Sequence, residues 1–280
     1  MSAADIRPRP AAPPPDPRKE ALADLRSGDL KRVERALEQL VDPDPDQIAA
    51  VVQLLAWDDV VGPARHVLER QAASHTSLLL EALLDPKTDF AIRRRVPRIL
   101  GTVSSQPAID GLIRGLDDTR FEVRYQCGRA IDRLLSAHAH LTANRDRLLA
   151  VVERELSLPI QVWRGHRVID PDETEAPGRP APERARRNVQ HLFSLLATFL
   201  PREPLQVAFG GIDSDDRGLR SLAREYLDSV LPDRIRTSFW ERVAADVKAS
   251  DRRLTPDQAL EELRRSQQQP ILRLAEPESD

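Results

Sequence analysis

Apolar and polar residues alternate along most of this chain with the period of an α-helix. Leu30, Val33 and Leu37, for example, recur at intervals of three and four positions and would line one helical face. Aromatic residues make up only 4% of the chain, and no run alternates in the way that predicts a strand. The stripes predict helices near residues 18–27, 29–41, 45–56, 60–73, 76–84, 89–104, 107–116, 120–137, 142–157, 183–200, 232–247 and 255–268.

Two helix starts carry a chemical signature. Asp44-Pro45-Asp46-Gln47 and Thr255-Pro256-Asp257-Gln258 each place a capping residue before a proline at the first helical position and a glutamine at the third. Proline is tolerated there because the first helical amide has no partner in the helix, and the glutamine can return a hydrogen bond to the cap. Both sites are therefore predicted to begin a helix.

A short phrase occurs three times: an apolar residue and Asp, a gap of five or six residues, then an apolar residue and Arg. Its copies are Leu84-Asp85 with Ile92-Arg93, Leu116-Asp117 with Val123-Arg124, and Ile212-Asp213 with Leu219-Arg220. A repeated helical unit cannot bury its own apolar stripe, so it must stack on its neighbours. The phrase predicts an all-α fold, an α-solenoid or α-α superhelix of antiparallel helix pairs.

The helical stripes run from residue 18 to 268 and predict a single solenoid domain. Residues 1–17 are rich in Pro and Ala, and we expect a disordered leader there. Five prolines between 158 and 182 predict a loop insertion inside one repeat, of a length that is usually functional or disordered. The acidic tail, 269–280, is expected to be disordered as well.

These phrases resemble a known family. Leu116-Asp117 with Val123-Arg124, and Ile212-Asp213 with Leu219-Arg220, look like the short bacterial HEAT repeat, a resemblance that covers about 76–231. The segment 183–231 is also similar to the HEAT segment beside an ATP/ADP-carrier-like membrane portion in some bacterial multidomain proteins. That membrane portion has no counterpart in this sequence, so no transport role is carried over. The resemblance implies an α-solenoid that mediates protein contacts, with a structural ladder formed by Asp85, Arg93, Asp117, Arg124, Asp213 and Arg220.

The charge and the cysteine content limit the classes of function that this chain can have. The chain has 42 basic and 45 acidic residues, mixed along its length, for a net charge of −3. It therefore lacks the positive field that non-specific nucleic-acid binding requires. Its single cysteine, Cys127, falls in an apolar stripe and is expected to be a small core residue. With no secretion signal and no apolar run long enough to span a membrane, the sequence predicts a cytoplasmic protein.

Two places are candidates for contact with a protein partner. Alignment of the repeated helices puts Arg94 over Tyr125 and Arg98 over Arg129, in columns off the core stripe that could bind an acidic peptide. The alternative is an ordinary solvated face with ion pairs inside each helix. In the insertion, Trp163 and Arg164 have the composition of an interface anchor, although Trp163 could equally fix the loop to the solenoid.

Catalytic and metal-binding patterns are weak. The stretch 213–218 begins like a calcium loop, but Arg217 and Arg224 occupy ligand positions, so a helix cap is expected. The histidines lack zinc spacing, and His138-x-His140 alone is a poor metal site. Trp57 with Asp58 and Asp59 supports one enzyme hypothesis, a helical-repeat DNA glycosylase, which needs a carboxylate near aromatics on a basic concave face.

The sequence thus favours a non-enzymatic scaffold or adaptor that binds another protein or peptide. It indicates no cofactor, no metal and no catalytic residue. Two alternatives stay open: the glycosylase-type enzyme and a regulatory module of a membrane-associated complex.

Overall fold

The computed structural model describes residues 16–159, 187–212, 214 and 216–250, and within these ranges the chain is helical with no strand. The predicted all-α fold is confirmed. The helices of the described ranges are α1 (Pro17–Leu25), α2 (Leu30–Gln39), α3 (Pro45–Leu54), α4 (Val61–Gln71), α5 (Thr76–Leu84), α6 (Phe90–Leu100), α7 (Gln106–Gly115), α8 (Phe121–Ala137), α9 (Arg145–Ser157), α10 (Arg187–Leu196), α11 (Arg202–Ile212), α12 (Arg217–Val230) and α13 (Asp233–Ser250).

Most predicted helices end within a few residues of the observed ones, and two differences stand out. Gly210 and Gly211 lie inside α11, a helix absent from the ranges predicted above. The last described helix runs to Ser250, beyond the predicted end at 247. The predictions for 1–15, for most of the insertion at 158–182, for the helix at 255–268 and for the tail at 269–280 lie outside the described residues.

The chain divides into two compact units, Met1–Gln71 and Ala72–Asp280. In the first, α1 packs on α2 and α3, and α4 packs on the same two helices. The predicted start of α3 is confirmed, because Asp44 accepts from the Gln47 amide at 2.9 Å and the Gln47 side chain accepts from the Asp44 amide at 3.0 Å. The single continuous solenoid stays a prediction.

In the second unit, consecutive helix pairs pack on each other. Helices α5 and α6 form one pair and α7 and α8 the next, with α5 against α7 and α6 against α8. Helix α10 continues this arrangement on α8, and it also packs on α9, which in turn contacts α13. Helices α11 and α12 form a further pair. The superhelical arrangement of these pairs stays a prediction.

Helix α7 packs closely on α8 because Gly115 has no side chain. A Cβ atom at Gly115 would lie 2.6 Å from the Cys127 sulfur, which is too close for two unbonded atoms. Cys127 is completely buried there, as the sequence predicted. Burial raises the pKa of the Cys127 thiol, and the nearby Asp118 carboxylate raises it further, so this thiol is held in its neutral, unreactive form.

Candidate functional site

The arginine of each repeated phrase donates a hydrogen bond to a backbone carbonyl in the turn that precedes its own helix. Arg93 Nε donates to the Thr88 carbonyl at 3.1 Å, Arg124 Nη1 to the Thr119 carbonyl at 3.2 Å, and Arg220 Nη1 to the Ser214 carbonyl at 2.6 Å. A turn between two packed helices leaves carbonyl oxygens without helical partners, and the guanidinium fork satisfies them. This local role is common to all three copies.

Two of these arginines also reach the following helix pair. Arg93 forms an ion pair with Asp118, in the turn between α7 and α8. Arg124 donates from Nε and Nη2 to the two carboxylate oxygens of Glu155 on α9, at 2.6 and 3.1 Å. Both arginines therefore link their own helix pair to the helices that follow.

Two of the carboxylates predicted for that ladder, Asp85 and Asp117, have other partners. Asp85 ends α5 and accepts from the Lys87 amide at 2.9 Å, while Asp89 caps α6. Asp117 pairs with Arg147 and Arg154 of α9 instead of a phrase arginine. Asp213 lies outside the described residues.

A buried polar cluster joins α8, α9 and α10 and consists of Arg124, Glu155 and His191. The exposed side-chain fractions are 5% for Arg124 and 1% each for Glu155 and His191. His191 Nε2 lies 3.8 Å from a Glu155 oxygen, beyond hydrogen-bond distance, and neither ring nitrogen has a hydrogen-bond partner in the described part of the chain.

Electrostatics keep the Glu155 carboxylate ionised. Burial alone would raise the pKa of Glu155, but the adjacent His191 imidazole and the Arg124 guanidinium outweigh it and hold that pKa well below its usual range. The imidazole is enclosed by the Phe121 and Tyr125 rings, with centroids 5.6 and 6.2 Å away. A carboxylate and an imidazole sealed in this way cannot reach a substrate, so we assign the cluster to holding three helices together.

Arginines and aromatic rings form a second feature on α6, α8 and α10. The guanidinium carbon of Arg94 lies 5.6 Å from the centre of the Phe90 ring. Those of Arg129 and Arg187 lie 5.8 and 5.9 Å from the Tyr125 ring. Such cation–π contacts fix the direction of an otherwise flexible side chain.

Of the six residues predicted to face a partner, three are partly exposed, one is buried and two lie outside the described residues. Arg94, Arg98 and Arg129 are partly exposed on neighbouring helices. Tyr125 is 5% exposed and its hydroxyl donates to Gln190 Oε1 at 2.9 Å, so its placement on the partner face was wrong. It is buried because α10 packs over α8 at this point. Trp163 and Arg164 lie outside the described residues.

The enzyme hypothesis centred on Trp57, which borders an open groove of about 420 Å³ in the first unit. The indole N–H donates to Asp59 Oδ2 at 3.1 Å, and Asp58 and Asp59 are both exposed. The groove has Arg26 as the basic side chain in its lining. A glycosylase carboxylate is activated by burial beside a basic surface, so this geometry gives the hypothesis no support.

Other sequence motifs resolve simply. Asp216 caps α12 by accepting from the Gly218 amide at 2.6 Å, in agreement with the cap predicted there. The His138 and His140 rings lie 5.7 Å apart, and the described ranges hold no group of three potential metal ligands. Within these ranges no helix has the length and hydrophobicity needed to cross a bilayer.

Sequence reasoning missed Glu155 and His191, although both left a signal. Glu155 sits among Val151, Val152 and Leu156, inside the apolar stripe of α9, and His191 occupies a core position of α10 in the same way. An ionisable residue at a core position predicts a buried partner. The identity of that partner depends on which helices pack together.

Comparison with protein-family models, with curated proteins and with solved structures gives no match.

Proposed function

We propose that this chain is a cytoplasmic, non-enzymatic scaffold of HEAT-like helix pairs that binds an acidic peptide segment of a partner protein. The proposal rests on the partly exposed arginines of α6 and α8. The surface is defined here as Arg94, Arg98 and Arg129 and is called the arginine face.

Three properties of the arginine face support peptide binding. Arg98 and Arg129 occupy equivalent repeat positions on two helices that pack side by side, and Arg94 lies one turn before Arg98 on the same helix. Arg94 and Arg129 are held against aromatic rings, which lowers the conformational entropy lost on binding. A guanidinium also donates in a planar fork that matches a carboxylate.

The same face fits nucleic acid less well. Phosphate binding along a backbone needs an extended basic surface with little acidic charge. Asp132 lies three residues from Arg129 on the same helix, and the whole chain is slightly acidic. A short acidic peptide needs only a few positioned guanidinium groups.

Affinity capture from the native lysate tests the proposal, with wild type beside the double variant Arg98→Glu plus Arg129→Glu. We expect wild type to retain a protein through an acidic segment, and the double variant to lose it. The recovered protein is then divided into synthetic peptides, and the acidic ones should bind wild type with an affinity that falls as salt rises.

A matched control carries the same change of charge elsewhere on the second unit. Arg114→Glu plus Arg217→Glu alters two exposed arginines on α7 and α12 and should leave capture unchanged. Circular dichroism verifies that both variants stay helical. Equal loss in both variants, or capture of nucleic acid alone, would overturn the proposal.

A further inference from the structure

The open groove beside Trp57 takes no part in the arginine face. It lies in the first unit and has a volume of about 420 Å³, which falls within the range of about 300–1,000 Å³ that is usual for small-molecule sites. Its lining comes from the second half of α3, from Trp57 just after that helix, and from the end of α1 with the turn that follows it. We call this feature the Trp57 groove.

The buried part of the lining is apolar. Leu25, Ala50 and Leu54 are 2%, 5% and 8% exposed. Trp57 is partly exposed, and its indole N–H donates to Asp59 Oδ2 at 3.1 Å, which fixes the direction of the ring. An apolar group that enters the groove would therefore leave water and contact a positioned aromatic ring.

Two exposed polar side chains, Arg26 and Gln53, complete the lining. In the part of the chain that the structure describes, neither the Arg26 guanidinium nor the Gln53 side-chain amide has a hydrogen-bond or ion-pair partner. Polar groups that the fold does not use, placed beside an apolar lining, are the features that orient a small ligand.

The charges around the groove favour an anionic ligand. Arg26 is the ionisable side chain in the lining. The carboxylates close to it in sequence have other partners, since Asp24 accepts from Arg32 Nε at 2.8 Å and Asp29 caps α2. One guanidinium fork matches one carboxylate, whereas a phosphate dianion needs further cations for charge balance.

We propose that the Trp57 groove binds a small monocarboxylate with an apolar body. The body packs on Leu25, Leu54 and the Trp57 ring. The carboxylate accepts from the Arg26 guanidinium, and the Gln53 amide donates a further hydrogen bond to it. This site lies on a different surface from the arginine face and does not depend on the proposed function.

Fluorine NMR of the full chain labelled with 5-fluorotryptophan tests the assignment. The chain has three tryptophans, and the variant Trp57→Phe identifies the Trp57 signal. The probe is 4-phenylbutyrate, an aromatic ring on a short chain that ends in a carboxylate. We expect it to shift the Trp57 signal saturably, and its neutral amide, 4-phenylbutanamide, to bind roughly tenfold more weakly, since the amide forms no ion pair with a guanidinium.

Two pairs of variants locate the ligand. Arg26→Gln should weaken binding of the acid roughly tenfold and leave binding of the amide unchanged. Arg35→Gln alters an exposed arginine of α2 outside the groove and is its matched control. Ala49→Leu fills the groove and should abolish binding of both probes, whereas Ala23→Leu, at an exposed position of α1 outside the groove, should not. Circular dichroism verifies that each variant stays helical.

Each other outcome overturns the assignment. Without a saturable shift of the Trp57 signal, the groove does not take a ligand of this chemistry. Equal affinity of wild type for the acid and the amide, or equal losses in Arg26→Gln and Arg35→Gln, would show that Arg26 does not select the ligand. Tighter binding of the tripeptide glycyl-glycyl-phenylalanine than of 4-phenylbutyrate would identify the groove as a site for the carboxyl terminus of a peptide.

Discussion

Arg124 of α8 and Glu155 of α9 form a bidentate ion pair in the interior of the second unit, with donor–acceptor distances of 2.6 and 3.1 Å. Their side chains are 5% and 1% exposed. Burial removes water from both charges, so each depends on the other for its stabilisation. The pair joins α8 to α9 across a separation of 31 positions in the sequence.

Glu155→Gln should lower the free energy of unfolding by about 3 kcal/mol, because it leaves the Arg124 charge buried without a counter-charge. Urea unfolding followed by circular dichroism measures the change. Glu153→Gln is the control on the same helix, since Glu153 pairs with Arg234 at 2.7 Å with both side chains well exposed. That change should cost less than about 1 kcal/mol. Similar losses in the two variants would contradict the importance of the buried pair.

The stability of the protein should depend on pH through Glu155. The pKa of this carboxyl is lower in the folded chain than its ordinary value of 4.5, so the unfolded state binds a proton first as pH falls. The contribution of Glu155 is therefore complete above about pH 5 and is lost progressively at lower pH. Urea unfolding at several pH values between about 6 and 3 should show the wild-type advantage over Glu155→Gln shrinking. A constant difference would show that the folded pKa is not lowered.

Two adjacent glycines of α11 should respond in opposite directions to alanine. A Cβ at Gly210 meets no atom within 4 Å, so Gly210→Ala should stabilise the protein by about 0.5 kcal/mol through better helix propensity. A Cβ at Gly211 would lie 2.9 Å from the Ala223 Cβ and 3.3 Å from the Leu219 carbonyl oxygen. Gly211→Ala should therefore destabilise by about 1–3 kcal/mol.

Urea unfolding measures the free energy of unfolding of the two alanine variants, and each variant serves as the control for the other. Stabilisation by both alanines would mean that α11 and α12 are less closely packed than their contact at Gly211 indicates. Destabilisation by both would mean that the last turn of α11 requires glycine at position 210 for a reason other than space.

The positions of the helices could be predicted from the sequence because helix formation depends on residues only a few positions apart. Apolar spacing, capping residues and prolines act within a few positions, so the start of α3 at the Asp44–Gln47 capping box and the core position of Cys127 were predicted correctly. The repeated phrase was also recognised as structural, and its arginines do hold the turns before their helices.

Tertiary structure alone decided the partners of those residues. Arg93 and Arg124 pair with Asp118 and Glu155 rather than with the predicted Asp85 and Asp117. Tyr125 is covered by α10. A side chain on a helix has several possible neighbours, and the choice depends on how adjacent helices are rotated and spaced. The exposure of Leu219, at a position buried in the two earlier repeats, follows from the same principle: the local pattern determines which face is apolar, and the neighbouring helix determines whether that face is covered.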